Sequence, residues 1–497
     1  MVHIAKYLKE KGYLEKAYAF IAYYDEWRDY LHKQKNVEFE KIIGTKEIYE
    51  RMTSETVDYK KIKRIENEYG YIDLELWNII YSDPYLSRHT HYRPYNHPAY
   101  TRDDVLKYVQ ASFGVIEGLF SEVRVDAVVD FARVCILRGA IDLVAQRYDI
   151  PYLFPHHALL ANRYLICRRI RDEYKNVRKT YEDLLSSQDN CEKGYEYLRW
   201  ARDADTRTVY SSNALAKKKK ISNIRRSARY LKKVLSWVIN MPAEIVLRCK
   251  SLIDPSVRFN FQFFKNLPSI KLYRELLGFI RRIMIFFKRP FEDSDIEGDF
   301  AFMTLHLKPE ASTSILAPFF VNQEAVIRNI SRALPLSWKL VVKPNINMKG
   351  IEPLSFYKRI QSIPNVCLVG PESDTQNMIK RSKAVITITG TSGLEAVLKG
   401  KKVIVLSSQP IWSVIKGVTV CTDMTELSAI FKNIDEYTPD DHNLAAYLQA
   451  VHDNSFPLEK NYIWKGPYEL SNDGYRKAIE LMSDNIIKEY ERNLGDE

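Results

Sequence analysis

Residues 384–409 read AVITITGTSGLEAVLKGKKVIVLSSQ, and this stretch decides the fold. Ala384–Thr389 is an apolar, β-branched run of strand type. Gly390–Gly393 reads as a tight turn, Leu394–Lys399 opens a helix, and Val403–Leu406 is the next strand. Two apolar strands joined by a helix form a parallel βαβ unit. Gly390 and Gly393 would let the backbone approach a ligand closely. The free N–H groups and positive end of the helix favour a phosphate there. Thr391 and Ser392 add hydroxyls, and Glu395 suits the helix dipole or a pair of ribose hydroxyls. A plain strand-turn-helix with Ser392 as N-cap accounts for the same residues.

The alternation extends in both directions. Strands are expected at Ala301–His306, Trp338–Val342 and Val366–Val369, and helices at Gln323–Ala333, Ser355–Ile363, Thr375–Arg381 and Thr425–Asn433. This is the pattern of a doubly wound α/β domain. Three more loops leave strand carboxyl ends: His306 to Thr313 (HLKPEAST), Lys343-Pro344-Asn345 and Ser407-Ser408-Gln409. Open parallel sheets bind ligands at that edge. Lys343 and His306 would offset a phosphate's charge, with Lys308 beside them. Glu395, Ser407 and Ser408 would hold ribose or base.

Upstream the signals are shorter. Met1–Lys11, Trp27–Gln34, Ala111–Ser121 and Val134–Tyr148 read as helices. Ala17–Tyr24, Val37–Ile43, Asp126–Asp130 and Ile150–Phe154 read as strands. The expected division is an amino-terminal α/β domain over 1–171, a basic helical insertion over 172–298, the doubly wound domain over 299–440, and a helical tail over 441–497 that folds back across the interdomain surface.

The chain has 497 residues, 46% hydrophobic and 28% charged, which excludes a disordered or collagenous chain. No apolar run reaches the ~18–20 residues of a spanning helix, and MVHIAKYLKEK lacks the apolar core of a secretory signal. The six cysteines are scattered without a CxxC, so structural zinc and a disulfide framework are not expected and a cytoplasmic location is. The net charge of +11 is concentrated: Lys217–Arg289 holds 19 Lys and Arg against 3 Asp and Glu, a local +16 that leaves the remainder near −5. Within it Leu272, Leu276, Phe279, Ile280, Ile283 and Phe287 share one helical face, with Lys271, Arg274, Arg281, Lys288 and Arg289 opposite. Such a helix either lies on an anionic membrane surface or packs on its own domain. Lys217–Lys220, Arg225, Arg226 and Arg229 carry no nucleic-acid motif, so no nucleic-acid partner is expected.

From about Leu305 to Trp412 the sequence resembles the capsule-polysaccharide synthesis glycosyltransferases, which include bacterial Kdo transferases. Three motifs carry the resemblance: LHLKPEAST with Asn322-Gln323 downstream, VVKPN followed by Gly350 and Phe356-Tyr357, and ITGTSGLEAVLKGKKVIVL. They cover about a fifth of the chain. Leu76-Trp77, Ile80–Asp83 and Val125–Asp130 resemble the amino-terminal half more faintly. The resemblance implies a GT-B architecture of two Rossmann-like domains. It also implies a CMP-, UDP- or GDP-sugar donor on the second domain, with Gln323 among the donor-side residues, and a glycan or lipid-linked glycan acceptor. The family's Lys-Glu-His-Pro loop is replaced here by Lys343-Pro344-Asn345-Ile346-Asn347. A polyol-phosphate transferase of teichoic-acid type and a non-catalytic assembly protein share the architecture and remain open.

A transferase of this kind needs a base for the acceptor hydroxyl. Asp130, at the end of its strand, ranks first, with Glu310 as a second catalytic carboxylate. Asp25, Glu26, His156 and His157 are the other strand-end candidates. His89, His91 and His97 match no standard zinc spacing and read as a Tyr/His-rich surface or an acceptor loop. Asp293-Ser294-Asp295 reads as an acidic linker, so no cofactor or metal is expected.

Overall fold

The computed structural model describes residues 1–21, 26–69, 76–77, 80, 101–131, 136–160, 162–172, 174–187, 191–203, 239–246, 249–250, 268–307, 310–348, 350–436, 439–459, 462 and 468–495. Lys308, Asp25, Tyr81–Asp83, the three loop histidines His89, His91 and His97, and the Lys217–Arg229 cations lie outside them, as does the Glu26 side chain.

The amino-terminal half contains α1 (Val2–Glu10), β1 (Tyr18–Ile21), α2 (Glu26–Lys33), β2 (Lys41–Gly44), α3 (Thr45–Ser54), α4 (Tyr59–Tyr69), α5 (Arg102–Glu122), β3 (Val128–Val129), α6 (Ile136–Arg147), β4 (Tyr152–His157) and β5 (Arg163–Cys167). Helices α7 (Lys175–Ser187), α8 (Glu192–Asp203) and α9 (Pro268–Lys288) follow. The carboxyl-terminal half runs β6 (Phe300–Thr304), α10 (Gln323–Ala333), β7 (Lys339–Lys343), α11 (Leu354–Gln361), β8 (Val366–Leu368), α12 (Thr375–Arg381), β9 (Ala384–Thr387), α13 (Thr391–Leu398), β10 (Lys402–Val405), β11 (Val418–Val420) and α14 (Leu427–Lys432). The tail adds α15 (Asp441–Asp453), β12 (Phe456–Pro457) and α16 (Asp473–Gly495).

The six strands of the carboxyl-terminal half form one parallel sheet in the order β11-β10-β9-β6-β7-β8. Counted from β6, this is the Rossmann order, with its switch point between β6 and β9. Side chains alternate between the two faces. Ala301, Met303, Leu340, Val342, Ala384, Ile386 and Ile404 meet Val326, Ile327 and Ile330 of α10, Tyr357 and Ile360 of α11, and Leu427 of α14. Phe300, Phe302, Val341, Val385, Val403 and Val405 lie in the other cluster, with Met378 of α12 and Leu394 and Val397 of α13. Burial on both faces is why these strands read as unbroken apolar runs.

That second cluster continues into the amino-terminal half through Val177 and Tyr181 of α7, Leu198 of α8, and Leu444, Tyr447 and Leu448 of α15. The two halves therefore share one apolar core along this face. The amino-terminal half is also α/β, with parallel pairs β1/β2 and β3/β4. Strand β5 then joins β4 antiparallel, and β12 of the tail joins β5, giving the order β12-β5-β4-β3. The tail does fold back: α16 packs on α1, and Tyr475, Ile479 and Met482 share a cluster with Ile4 and Leu153. The α/β class, with a doubly wound second domain, is the one read from the sequence.

Two local expectations are corrected. Thr391–Gly393 is not a turn preceding a helix but the first turn of α13, with Gly390 as its N-cap. Ser392 is therefore not the cap. In the β2 region, Val37–Ile43 pairs as a strand only from Lys41 onward.

Candidate functional site

The loops after β6 and β9 meet at the switch point and are tied together there. Thr304 and Ser392 hydroxyls share a 2.8 Å hydrogen bond. Thr389 Oγ1 donates to Ser312 O at 2.8 Å, and the Thr389 N–H points at His306 Nε2 at 3.4 Å. The neighbouring β10 loop is tied in by Ser407 Oγ, which donates to Leu316 O at 2.7 Å. From the amino-terminal half Arg171 donates to Ile315 O at 2.9 Å, so the β6 loop also touches the other half.

His306 is buried, and burial pulls its pKa down to about 4. The ring is therefore neutral and, since Nε2 accepts from Thr389, carries its proton on Nδ1. The expected charge-offsetting role does not suit a neutral imidazole; here the ring sets the position of Thr389 and Gly390. Gln323 clamps the same residue, with Oε1 accepting from His306 N at 2.9 Å and Nε2 donating to His306 O at 3.1 Å. Its amide is spent on the loop backbone.

Both glycines have protein atoms packed where a side chain would be. A Cβ on Gly393 would lie 2.3 Å from Trp412 Cη2 and 2.8 Å from Thr387 Cγ2, and one on Gly390 would lie 2.7 Å from Thr387 Oγ1 and 3.2 Å from His306 Cε1. Neither has a positive φ. Their absence of side chains still has a consequence at the helix start. Gly390 offers no side-chain cap, so the first N–H groups of α13 receive no side-chain partner. An uncapped helix start at a switch point is a place where an anion is stabilised.

Lys343 ends β7, buried, in register with Thr304. Strand β6 lies between it and β9, whose end starts α13. Thr391 is partly exposed at the first helical position, and Ser408 is exposed at the far side. Glu395 accepts from Gln376 Nε2 at 2.6 Å, and Gln376 in turn accepts from Lys399, so its carboxylate is engaged with α12. Glu310 follows β6 in the same loop: its side chain reaches solvent, yet the protein mass around it raises its carboxyl above the ordinary value, and Ser312 partly opposes the shift. Its carbonyl accepts from Thr313 N and Ser314 N and starts the helical turn Ala311–Ser314.

Asp130 is bound differently from a base awaiting a proton. Oδ2 accepts from Arg138 Nε at 2.7 Å and from Tyr152 OH at 2.6 Å, and Oδ1 accepts from Phe131 N at 2.6 Å. An ion pair and two further hydrogen bonds hold both oxygens, so Asp130 joins β3, β4 and α6. The Tyr152 hydroxyl, buried against this carboxylate, is pushed well above its ordinary pKa. On β4, His157 Nδ1 accepts from Leu159 N at 2.9 Å, and His156 stacks on Tyr174 at 6.5 Å.

The residues that sequence reasoning missed are Thr304, Thr389, Arg171 and Trp412. Thr304 and Thr389 had a signal, a hydroxyl at the carboxyl end of a buried strand. Arg171 and Trp412 had none. Among the described residues no cluster of His, Cys, Asp or Glu has the geometry of a metal site. No described helix is long and apolar enough to cross a membrane.

Residues 324–452 match the family described as capsule polysaccharide biosynthesis protein, and this supports the resemblance carried by the 305–412 motifs. No curated protein matches the chain. Among solved structures it is similar to two Kdo transferase structures of KpsC from Thermosulfurimonas dismutans. One is the β-Kdo 2,7 transferase, at 15% identity and a TM-score of 0.24, covering 36% of this chain and 56% of that one. The other is the β-Kdo 2,4 transferase, at 10% identity and a TM-score of 0.30, covering 66% and 79%. A UDP-GlcNAc 2-epimerase from Neisseria meningitidis, bound to UDP-GlcNAc, is similar at 10% identity and a TM-score of 0.25 over 88% of this chain and 98% of that one. The chain thus spans little more than half of the first of these. At such scores the fold assignment rests on the sheet order, not on the likeness.

Proposed function

We propose that this protein is a glycosyltransferase of surface-polysaccharide synthesis that takes a nucleotide-sugar donor on its carboxyl-terminal domain. The observation that carries the reading is the uncapped start of α13 at the β6/β9 switch point, with Lys343 at the same sheet edge on the next strand but one. The donor phosphate sits against the Thr391 and Ser392 N–H groups, and Lys343 stabilises the charge that grows on the leaving nucleotide. His306 and Gln323 keep the loop rigid, and Glu395, Thr391 and Ser408 line the nucleoside side.

In the transfer step the acceptor hydroxyl oxygen bonds to the anomeric carbon. The bond from that carbon to the phosphate oxygen breaks, and the nucleotide leaves with the electron pair. The acceptor proton goes to Glu310, whose carboxyl is raised by the protein around it, whereas both oxygens of Asp130 are held by hydrogen bonds. The acceptor is a glycan or lipid-linked glycan, met at the inner face of the cytoplasmic membrane.

One observation favours a second reading, a non-catalytic assembly protein. Pro344 stands where the family has its acidic residue, and Asn345, where the family has a His, turns its side chain onto its own loop, accepting from Asn347 N at 3.0 Å. Calorimetry with CMP-, UDP- and GDP-sugars and CDP-glycerol separates the readings. Lys343→Ala should weaken binding of a nucleotide more than that of the free nucleoside. Equal losses would refute the phosphate contact, and no binding of any nucleotide by the wild type would favour the assembly protein.

A further inference from the structure

Helix α9 sits on the outside of the carboxyl-terminal domain and touches it along one narrow line. Gly278 meets Gly350 backbone to backbone: Gly350 has φ +77, and a Cβ there would lie 2.6 Å from Gly278 O. Arg281 donates to Ile351 O, and Ile285 packs against the core beneath. At about 100° per residue, Gly278, Arg281 and Ile285 lie on one side of the helix.

The opposite side is apolar and largely exposed. Leu276, Phe279, Ile280, Ile283, Met284 and Phe287 fall on it, and Ile280 is 51% and Phe287 75% exposed. Phe286, at the edge of this arc, is 68% exposed. The expectation that the apolar face packs on its own domain is thus not met; the domain takes the glycine side. Arg282, Lys288 and Arg289 border the arc and are exposed. An outward apolar arc edged by cations, within the segment that carries a local +16, complements an anionic bilayer surface. A protein partner of acidic character would not need six large apolar side chains in a row.

The line of contact adds what the sequence could not show. Gly350 and Ile351 belong to the segment between β7 and α11, the loop that begins at Lys343. We propose that α9 seats the protein on an anionic lipid surface and, through the Gly278–Gly350 contact, holds the Lys343 loop to that surface. The proposal deepens the transferase reading and rests on it for its consequence, that the donor site is kept close to a lipid-linked acceptor. The seating itself is independent of that reading.

The test is co-sedimentation of the full chain with vesicles of phosphatidylglycerol and phosphatidylcholine in equal parts, against phosphatidylcholine alone, at low and high salt. Wild type should bind the anionic vesicles at least ~10-fold more tightly, with the preference falling as salt screens the surface. Phe286→Ser with Phe287→Ser, and separately Arg282→Glu with Lys288→Glu, should each lower that binding at least ~10-fold. These side chains are exposed, so unfolding transitions should be unchanged. Equal binding to both vesicles, no binding, or variants that bind as wild type does would overturn the proposal. A dimer in sedimentation velocity that dissociates in the Phe286→Ser/Phe287→Ser variant, without vesicle binding, would assign the face to a second copy. Nucleotide affinity without vesicles reports the transferase reading separately, so either can fail alone.

Discussion

Gly393→Ala isolates what the glycine at the start of α13 is for. The added Cβ would sit 2.3 Å from Trp412 Cη2, 2.8 Å from Trp412 Cζ2 and 2.8 Å from Thr387 Cγ2. Trp412 and Thr387 are both wholly buried, so neither can swing into solvent to make room. Overpacking a tight site costs ~1–3 kcal/mol, and with two immovable neighbours the upper figure applies. At ~2–4 °C per kcal/mol for a domain of this size, ~3 kcal/mol lowers the melting temperature by ~6–12 °C. Calorimetric unfolding of wild type and variant measures it. Trp412→Phe removes the clashing ring edge but opens a cavity of its own. The double variant should therefore be more stable than the sum of the two single changes, by ~1–2 kcal/mol of coupling. Melting of Gly393→Ala indistinguishable from wild type, or strict additivity with Trp412→Phe, would refute the packing argument and return Gly393 to a ligand-approach role. The same reasoning disqualifies a bulky Gly393 substitution as a clean probe of phosphate binding, because loss of fold would precede loss of ligand.

Three further outcomes follow from the side-chain environments. His306 has a folded pKa of about 4 against an ordinary ~6.5. The unfolded chain therefore takes up its proton first as pH falls, and the stability that His306 contributes is full above pH ~6.5 and lost towards pH ~4. The stability advantage of wild type over His306→Gln should shrink by ~3 kcal/mol across that window in urea titrations, and a pH-independent difference would contradict it. Asp130→Asn should cost ~1–3 kcal/mol by leaving Arg138 and Tyr152 short of an anion, while turnover stays within a few-fold; abolished turnover at unchanged stability would restore Asp130 as the base. Glu310→Gln should lower turnover ~10²-fold or more and remove an acidic limb that lies above the usual carboxylate range in kcat/KM; an unaltered pH profile would exclude it.

The inner strands of the carboxyl-terminal sheet were legible because they are buried on both faces and separated by helices, whereas the half-exposed edge strand β11 was not read from the sequence. Gln323–Ala333 and Thr375–Arg381 appear with the bounds read from the sequence. Strands β5 and β12 were not legible. RYLIC pairs antiparallel with both β4 and β12 inside a mixed sheet, and β12 is two residues long, defined by its partner and not by its own composition. The site was legible as a place but less so as a set of roles. Gly390 and Gly393 do announce a close approach, but a sequence does not say whether a ligand or a tryptophan approaches. Likewise a carboxylate at a strand end is equally an anchor or a base until its partners are seen, and Asp130 has three. The lowered pKa of His306 comes from burial under loops distant in sequence, which periodicity does not report.

The return of the tail has a consequence for how the chain is made. The Rossmann sheet draws its strands from one uninterrupted stretch, Phe300 to Val420, and can form as soon as that stretch leaves the ribosome. The four-stranded sheet cannot. Its first strand, Val128–Val129, is synthesised long before Phe456–Pro457, and α1 waits for α16, residues 473–495, to cover Ile4. Until then the open edge of Arg163–Cys167 is an unpaired β edge of the kind that recruits other chains. The half of the protein translated first is thus completed last. Nascent chains halted before residue 456 should gather on chaperones, although they already carry a complete Rossmann-order sheet.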